Sequence, residues 1–235
     1  MMEFFTESAW FGLVLTLGLF FFAKVINKKA KREIFNPLLF ATVTILLLLI
    51  VFAIPYEAYY KGAQHIDVLL TPATICLAIP LYRQYTLLKE NAGAVIAGCV
   101  AGVIAHMLAC LVLLVIFSLD SAAFATILPK SITTAIGKSL SAELGGNSAI
   151  TMATIMLTGQ FGAVAAPTLL KWFGVKHPLA QGLAIGTASH AAGTSRAVEL
   201  GDVQGASSSL AIVVTGLLTV VAAPLMMLLA QALFW

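Results

Sequence analysis

Charged side chains are scarce in this chain of 235 residues, at 10% of the composition, while 60% of the residues are hydrophobic. Soluble domains carry about 25% charged residues, because a surface that faces water must be polar. The mean hydropathy of +1.01 agrees with a membrane protein. At ~20 residues per crossing, the chain has room for roughly six to eight membrane elements and for no soluble enzyme domain.

Cysteines and catalytic motifs are equally sparse. The three cysteines, Cys76, Cys99 and Cys110, lie in apolar runs without C-x-x-C spacing and are odd in number, which indicates packing residues and no disulfide or metal site. A G-x-S-x-G elbow is absent, and the adjacent Ser189 and His190 cannot form a Ser-His-Asp triad. We therefore expect no enzymatic activity, metal or cofactor.

Positive charge is concentrated near the start of the chain. Five basic residues fall within nine positions, after an acidic start and an apolar run over 9–23: Lys24, Lys28, Lys29, Lys31 and Arg32. This order is the reverse of a signal peptide and predicts a retained first helix, an outside N-terminus and a cytoplasmic loop, not a nucleic-acid patch. A second span over 38–54 ends at Pro55. Residues 1–60 are thus predicted to be a helix pair, and 61–235 the functional core.

Two proline-containing segments interrupt the core, 62–82 and 121–146. The pattern Pro-x-[Thr/Ser]-Ile-x-x-Ala-Ile occurs at 72–79 and again at 129–136, an offset of 57 that also relates Gly102 to Gly159. Proline ends or kinks a helix, and a bilayer tolerates no unpaired backbone, so each break must be buried in protein or face water. We predict an internal repeat, 62–118 and 121–175, of the kind that aims broken helices at an anionic substrate.

The loop charges leave two topologies open. If every element crosses, the loop with Lys171 and Lys176 lies outside, against the positive-inside bias. If 121–146 re-enters, the same loop is cytoplasmic. We favour a re-entrant or broken segment, although its repeat partner 62–82 looks more like a crossing element. The expected fold class is an all-α polytopic membrane protein with Pro/Gly-broken or re-entrant helices.

Candidate site residues cluster at the broken segments. A small carboxylate inside a protein needs cations, hydroxyls and free backbone N–H groups. The substrate-binding candidates are Thr71, Thr74, Lys130, Ser131, Thr133, Thr134, Ser189, His190, Thr194 and Arg196, and the helix-break candidates are Pro72, Pro129 and Gly193.

Each of these residues has a structural alternative. His106 is either a hydrogen-bonded interior residue or a proton relay. Lys130 and Lys138 could extend to a membrane interface, and Arg196 could pair with Glu199 or Asp202. His190 either carries a proton or substrate contact or is structural.

Several motifs together resemble the LrgB/CidB family over roughly residues 10–230. They are the run 129–134, the stretch 157–162, the segment 186–197, the tail 209–211 and the pattern 72–82. The resemblance implies a holin- or antiholin-like regulator of murein hydrolase activity and autolysis, paired with a smaller LrgA/CidA-type membrane protein. Plant relatives act as plastid glycolate/glycerate transporters, and some bacterial pairs are linked to pyruvate uptake.

Two functions therefore stay open. The first is a secondary carrier of small monocarboxylates, proton- or ion-coupled, in a bacterial inner membrane. The second is a regulator of autolysis without transport of its own. Without a fused LrgA-like half or a transit peptide, we expect the stand-alone bacterial form with a separate LrgA/CidA-like partner. A homo-oligomer is a default expectation.

Overall fold

The computed structural model describes residues 8–30, 37–69, 72, 75–76 and 78–235, and within those ranges the chain forms helices and turns without a strand. The predicted all-α class is confirmed for that part of the chain. The chain divides into two compact units, Met1–Cys76 and Leu77–Trp235.

The N-terminal unit contains α1 (Phe11–Ala30), α2 (Pro37–Val51) and α3 (Tyr56–Asp67). Helix α3 packs on α1 so closely that a Cβ on Gly62 would lie 2.7 Å from the Gly12 nitrogen. The Thr16 and Tyr59 hydroxyls are 2.8 Å apart at the same contact. Because of this packing, α3 belongs to the N-terminal compact unit, which extends to Cys76; the functional division after residue 60 stays a prediction.

The second unit holds eight of the helices that the structure describes. They are α4 (Ala78–Arg83), α5 (Tyr85–Glu90), α6 (Ala92–Phe117), α7 (Ser121–Ile127), α8 (Thr134–Glu143), α9 (Ser148–Trp172), α10 (Pro178–Leu200) and α11 (Asp202–Phe234). Three of them, α6, α9 and α11, are long and apolar enough to cross a membrane. In the described residues α1 and α2 contain shorter apolar helices, and the total of six to eight membrane elements stays a prediction.

Helices α7 and α8 form a helical hairpin, which we call hairpin 1 (residues 121–143). With 7 and 10 residues, its arms are about 10 and 15 Å long, too short for the ~30 Å bilayer core. Pro129, which lacks a backbone donor, lies in the turn between them. The His106 ring bonds the Leu128 carbonyl at 2.7 Å, so the turn sits halfway along α6.

The two arms of hairpin 1 enter and leave at the same end of α6. Helix α7 follows α6 after three residues, and α8 leads into α9 after four. The Thr151 hydroxyl at the start of α9 lies 2.6 Å from the Ser141 hydroxyl and 2.9 Å from the Thr126 carbonyl oxygen. These contacts bring α7, α8 and the start of α9 together.

Helix α10 is itself folded into a second hairpin, hairpin 2 (residues 178–200), because His190 has non-helical backbone angles of φ 39° and ψ −132°. The first arm runs beside the start of α11, where Gln204 donates to Gln181 at 3.1 Å. The second arm returns to that end, since a Cβ on Gly205 would lie 2.8 Å from Val198 Cγ2. The break expected at Gly193 therefore lies three residues earlier. Gly193 is in a helix, where a Cβ would meet Ile185 of the first arm at 2.9 Å.

The hairpins enter from opposite ends of the unit. Hairpin 1 starts where α6 ends and α9 begins, whereas hairpin 2 starts where α9 ends. Their first residues, 121 and 178, and their last residues, 143 and 200, both differ by 57, the offset found in the sequence. The predicted repeat limits of 62–118 and 121–175 are not confirmed, and the first of those segments straddles the two compact units.

This arrangement predicts which loops share a side of the membrane. Single cysteines at the exposed positions Lys176 and Asp202, in a chain without the native cysteines, should react with a membrane-impermeant maleimide from one side. A cysteine at the exposed Glu143 should react from the other. Labelling of Lys176→Cys and Asp202→Cys from opposite sides would show that residues 178–200 cross the membrane once.

Candidate functional site

A cavity of about 1120 Å³ lies in the second unit among α6, α9, the first arm of hairpin 2 and the turn of hairpin 1. Its inner end contains His106, Lys130, Ser131 and Ser189. From there the cavity extends to the end of the unit at which α6 begins and α9 ends, where it is lined by Asn91, Phe173 and His177. We call this end the basic end, because Lys89, Lys171 and Lys176 lie there.

Small residues on two helices create this space. They are Ala94, Gly98, Ala101, Gly102, Ala105 and Ala109 of α6, and Ala180, Ala184 and Ala188 of hairpin 2. Positions three and four apart share one face of a helix, so small side chains at this spacing form continuous walls. Ligand pockets measure ~300–1,000 Å³, so this space is larger than one small ligand requires.

Lys130 lies at the turn of hairpin 1 and lines the inner end of the cavity. The side chain is partly buried, and the described residues provide it with no ion-pair partner. A charge inside a membrane protein is costly and is by default a functional hypothesis. The geometry places this cation where an anion entering the cavity would meet it.

His106 holds the turn of hairpin 1 in place. Because the Leu128 carbonyl can only accept, the proton is on His106 Nε2, which donates to that carbonyl at 2.7 Å. His106 Nδ1 is then an acceptor, and the Ser131 hydroxyl donates to it at 3.3 Å. These two contacts agree with the first alternative for His106, a hydrogen-bonded interior residue. They also use the Ser131 proton, so Ser131 supports the turn beside Lys130.

The turn of hairpin 2 faces α9 through two glycines. A Cβ on Gly162 would overlap the Ser189 hydroxyl, and a Cβ on Gly159 would lie 2.7 Å from His190 Cε1. Ser189 lines the cavity, and within the described part of the chain its hydroxyl has no hydrogen-bond partner. His190 is only 5% exposed and lies behind Ser189, outside the cavity lining.

Three other predicted residues lie at the hairpins but outside the cavity lining. Thr133 is the N-cap of α8, and Thr134 is the first residue of that helix. Thr194 is buried, donates to the His190 carbonyl at 2.8 Å, and lies 2.7 Å from the Ser208 hydroxyl. Thr194 therefore supports the break at His190.

The remaining predicted residues are not brought to the cavity by the described structure. Arg196 forms an ion pair with Glu199 at 2.7 Å, one of the two alternatives that the sequence raised. Thr71 and Thr74 lie outside the described residues. Pro72 is described and helical.

Two hydroxyl residues were missing from the sequence candidates. Thr158 and Thr187 line the cavity between the basic end and the hairpin turns. Thr158 belongs to the stretch 157–162, which carries the family resemblance, so the sequence contained a signal for this residue. Thr187 donates to the Leu183 carbonyl at 2.7 Å, and nothing in the sequence separates it from the other hydroxyls of segment 186–196.

Gly162 tests how tightly hairpin 2 packs on α9. Gly162→Ala should lower the free energy of unfolding by about 1–3 kcal/mol, because the methyl group would overlap the Ser189 hydroxyl. Gly93→Ala is the matched control, since Gly93 is helical with nothing within 4 Å of a new Cβ, and it should be neutral or stabilising. Thermal unfolding in detergent measures both. Equal melting temperatures for the two variants would contradict the packing.

Comparison with known proteins identifies relatives along nearly the whole chain. The family model described as LrgB-like family matches residues 16–229. The chain is 35% identical over 217 residues to holin-like protein CidB of Staphylococcus aureus (strain N315), covering 92% of this chain and 95% of the relative. It is also 35% identical over 223 residues to antiholin-like protein LrgB of Bacillus cereus (strain B4264), covering 94% and 97%. No solved structure matches.

Proposed function

The chain belongs to the LrgB-like family, and we propose that it is a secondary transporter of small monocarboxylates such as pyruvate, glycolate or glycerate. One observation carries the proposal. Lys130 lies at the inner end of a cavity that is lined by turn residues of two opposed hairpins, and no described residue forms an ion pair with it.

The charge of the site favours an anion. Among the residues that line the cavity, Lys130 is accompanied by no Asp or Glu. Helix α8 begins at Thr134, after the turn that contains Lys130, and the second arm of hairpin 2 begins after His190, next to Ser189. Helix N-termini carry partial positive charge, and broken helices in transporters use them to hold substrate carboxylates.

The number of charges favours one carboxylate. A second carboxylate buried beside the first would need a second cation, and the inner end of the cavity supplies Lys130 alone. The hydroxyl of Ser189 can donate to the same carboxylate, because it has no partner among the described residues. A small 2-oxo or 2-hydroxy monocarboxylate fits these groups.

The opposed hairpins supply a mechanism of alternating access. Residues 92–143 and 149–200 each comprise a long helix followed by a hairpin, in opposite orientations, as in inverted-repeat transporters. The cavity reaches the basic end, which the positive-inside rule places in the cytoplasm of a bacterial inner membrane. The equivalent path on the other side is filled by packed side chains of α6 and α7, among them Leu114 and Phe124.

The relatives favour a second candidate function directly through their names. They are called holin-like and antiholin-like, which supports a regulator of murein hydrolase activity and autolysis that acts with an LrgA/CidA-like membrane protein. The two functions are compatible, because carboxylate flux would change membrane energetics. The carrier requires the residues that line the cavity, whereas the regulator does not.

Lys130 separates the two candidates. Lys130→Met should raise the KM for pyruvate uptake about tenfold or more, because a lost charge-assisted contact costs about 1.5–3 kcal/mol. Lys138→Met is the control, since Lys138 is exposed on α8 and does not line the cavity. The measurement is uptake of radiolabelled pyruvate, glycolate and lactate into proteoliposomes, with and without an LrgA-like partner.

The same variants should be compared in an autolysis assay in cells that lack the native gene. If wild-type protein shown to be folded and inserted gives no saturable uptake under any condition, the carrier proposal fails. Autolysis that depends on the chain but is equal for Lys130→Met and Lys138→Met would then support the regulator.

A further inference from the structure

His190 occupies a backbone position that its residue type makes costly. Its angles of φ 39° and ψ −132° lie outside the regions that residues with a side chain normally adopt. Glycine would adopt this conformation with less strain. Strained residues persist where the surrounding structure enforces them, and they cluster at functional sites. Turn formation alone therefore does not explain why a histidine occupies this position.

The two ring nitrogens of His190 have different surroundings. The Nδ1 side of the ring faces α9, where a Cβ on Gly159 would lie 3.4 Å from Nδ1, whereas Nε2 is buried without a partner among the described residues. The Ile155 carbonyl on that side of α9 can only accept, so it favours the tautomer with the proton on Nδ1. This leaves Nε2 as a basic lone pair within a side chain that is 95% buried, given its 5% exposure. Buried polar atoms normally have partners, so the unpartnered Nε2 is a candidate binding position.

The charged and titratable groups around His190 supply no counter-charge. The contacts from α9 are Ile155 and Gly159, and those near the His190 carbonyl are the Thr194 and Ser208 hydroxyls. On hairpin 2 itself, Arg196 and Glu199 pair with each other. On hairpin 1, Lys130 lines the same cavity as Ser189, the neighbour of His190, and on α6 His106 is bonded to Leu128.

A proton on Nε2 would therefore place a second positive charge near Lys130. The described elements offer no carboxylate beside these groups, and a substrate carboxylate between the two hairpin turns would offset one of the two positive charges. Ser189, the neighbour of His190, lines the cavity and marks the route by which a proton from water reaches the ring. Loading of the proton and of the carboxylate should thus favour each other.

We propose that His190 Nε2 is the proton-binding site of the carrier, so that one proton moves with each monocarboxylate. The inference rests on the proposed transport function. One carboxylate and one proton carry no net charge together, and the charge of Lys130 stays constant through the cycle.

The first test uses wild-type protein in proteoliposomes that contain a pH-sensitive dye, with the membrane potential clamped and protein-free vesicles as the reference for passive permeation of the acid. Inward pyruvate transport should acidify the lumen with about one proton per pyruvate. Saturable pyruvate uptake without acidification would overturn the inference and leave the proposed function standing. Absence of any uptake would overturn both.

The second test uses variants of the ring. His190→Asn fits the positive φ, and His190→Gln preserves a donor for Ile155, but neither can carry a proton at this position. Both should lose accumulation driven by an imposed pH gradient at least tenfold, and the pH dependence of the remaining pyruvate exchange should be flat. His65→Gln, in the N-terminal unit, is the control. Gradient-driven accumulation in either His190 variant at the level of the control would overturn the proposal.

Discussion

The constraint that governs this fold is that backbone groups at membrane depth must find partners within the protein. A helix that stops halfway leaves up to four N–H or C=O groups without intrahelical bonds, and a bilayer core offers no water to replace them. Both hairpins stop halfway. Side chains of neighbouring elements satisfy part of each turn, since His106 bonds the Leu128 carbonyl and Thr194 bonds the His190 carbonyl. The remaining N–H and C=O groups of the turns can find partners in the cavity beside them.

Close packing follows from the same constraint. Hairpin 2 can stay at this depth only if its short arms lie tightly against α9 and α11, and glycines permit that approach. A Cβ on Gly182 would overlap Ser207, and one on Gly186 would overlap the Ser208 carbonyl. The cavity wall on α6 is built from small residues as well, but there they leave space empty. Glycine and alanine therefore have two roles in this fold. They permit close packing of hairpin 2, and they leave the cavity open beside α6.

The sequence predicted hairpin 1 much better than hairpin 2. Pro129 removes a backbone donor and has a polar neighbourhood, so a break there and the proposal of Lys130 as a site residue follow from local chemistry. In residues 178–200 the sequence predicted a break at Gly193, but no internal proline marks its position, so the exact fold at His190 depends on tertiary contacts. Thr133 and Thr134 were predicted from their closeness to Pro129 along the chain, but α8 starts at that point and neither residue lines the cavity. The offset of 57 was visible in sequence, whereas its assignment to two opposed hairpins required the packing of both on α9.

The central claim is that the turns of the two hairpins line one cavity and bind a carboxylate between them. An experimental structure of the protein in a lipid nanodisc with pyruvate, determined by electron cryomicroscopy, tests it most directly. We expect residues 178–200 to fold back at His190 and the pyruvate carboxylate to lie within hydrogen-bonding distance of Lys130 Nζ, beside Ser189. A continuous helix through His190, or pyruvate bound away from both turns, would contradict this account.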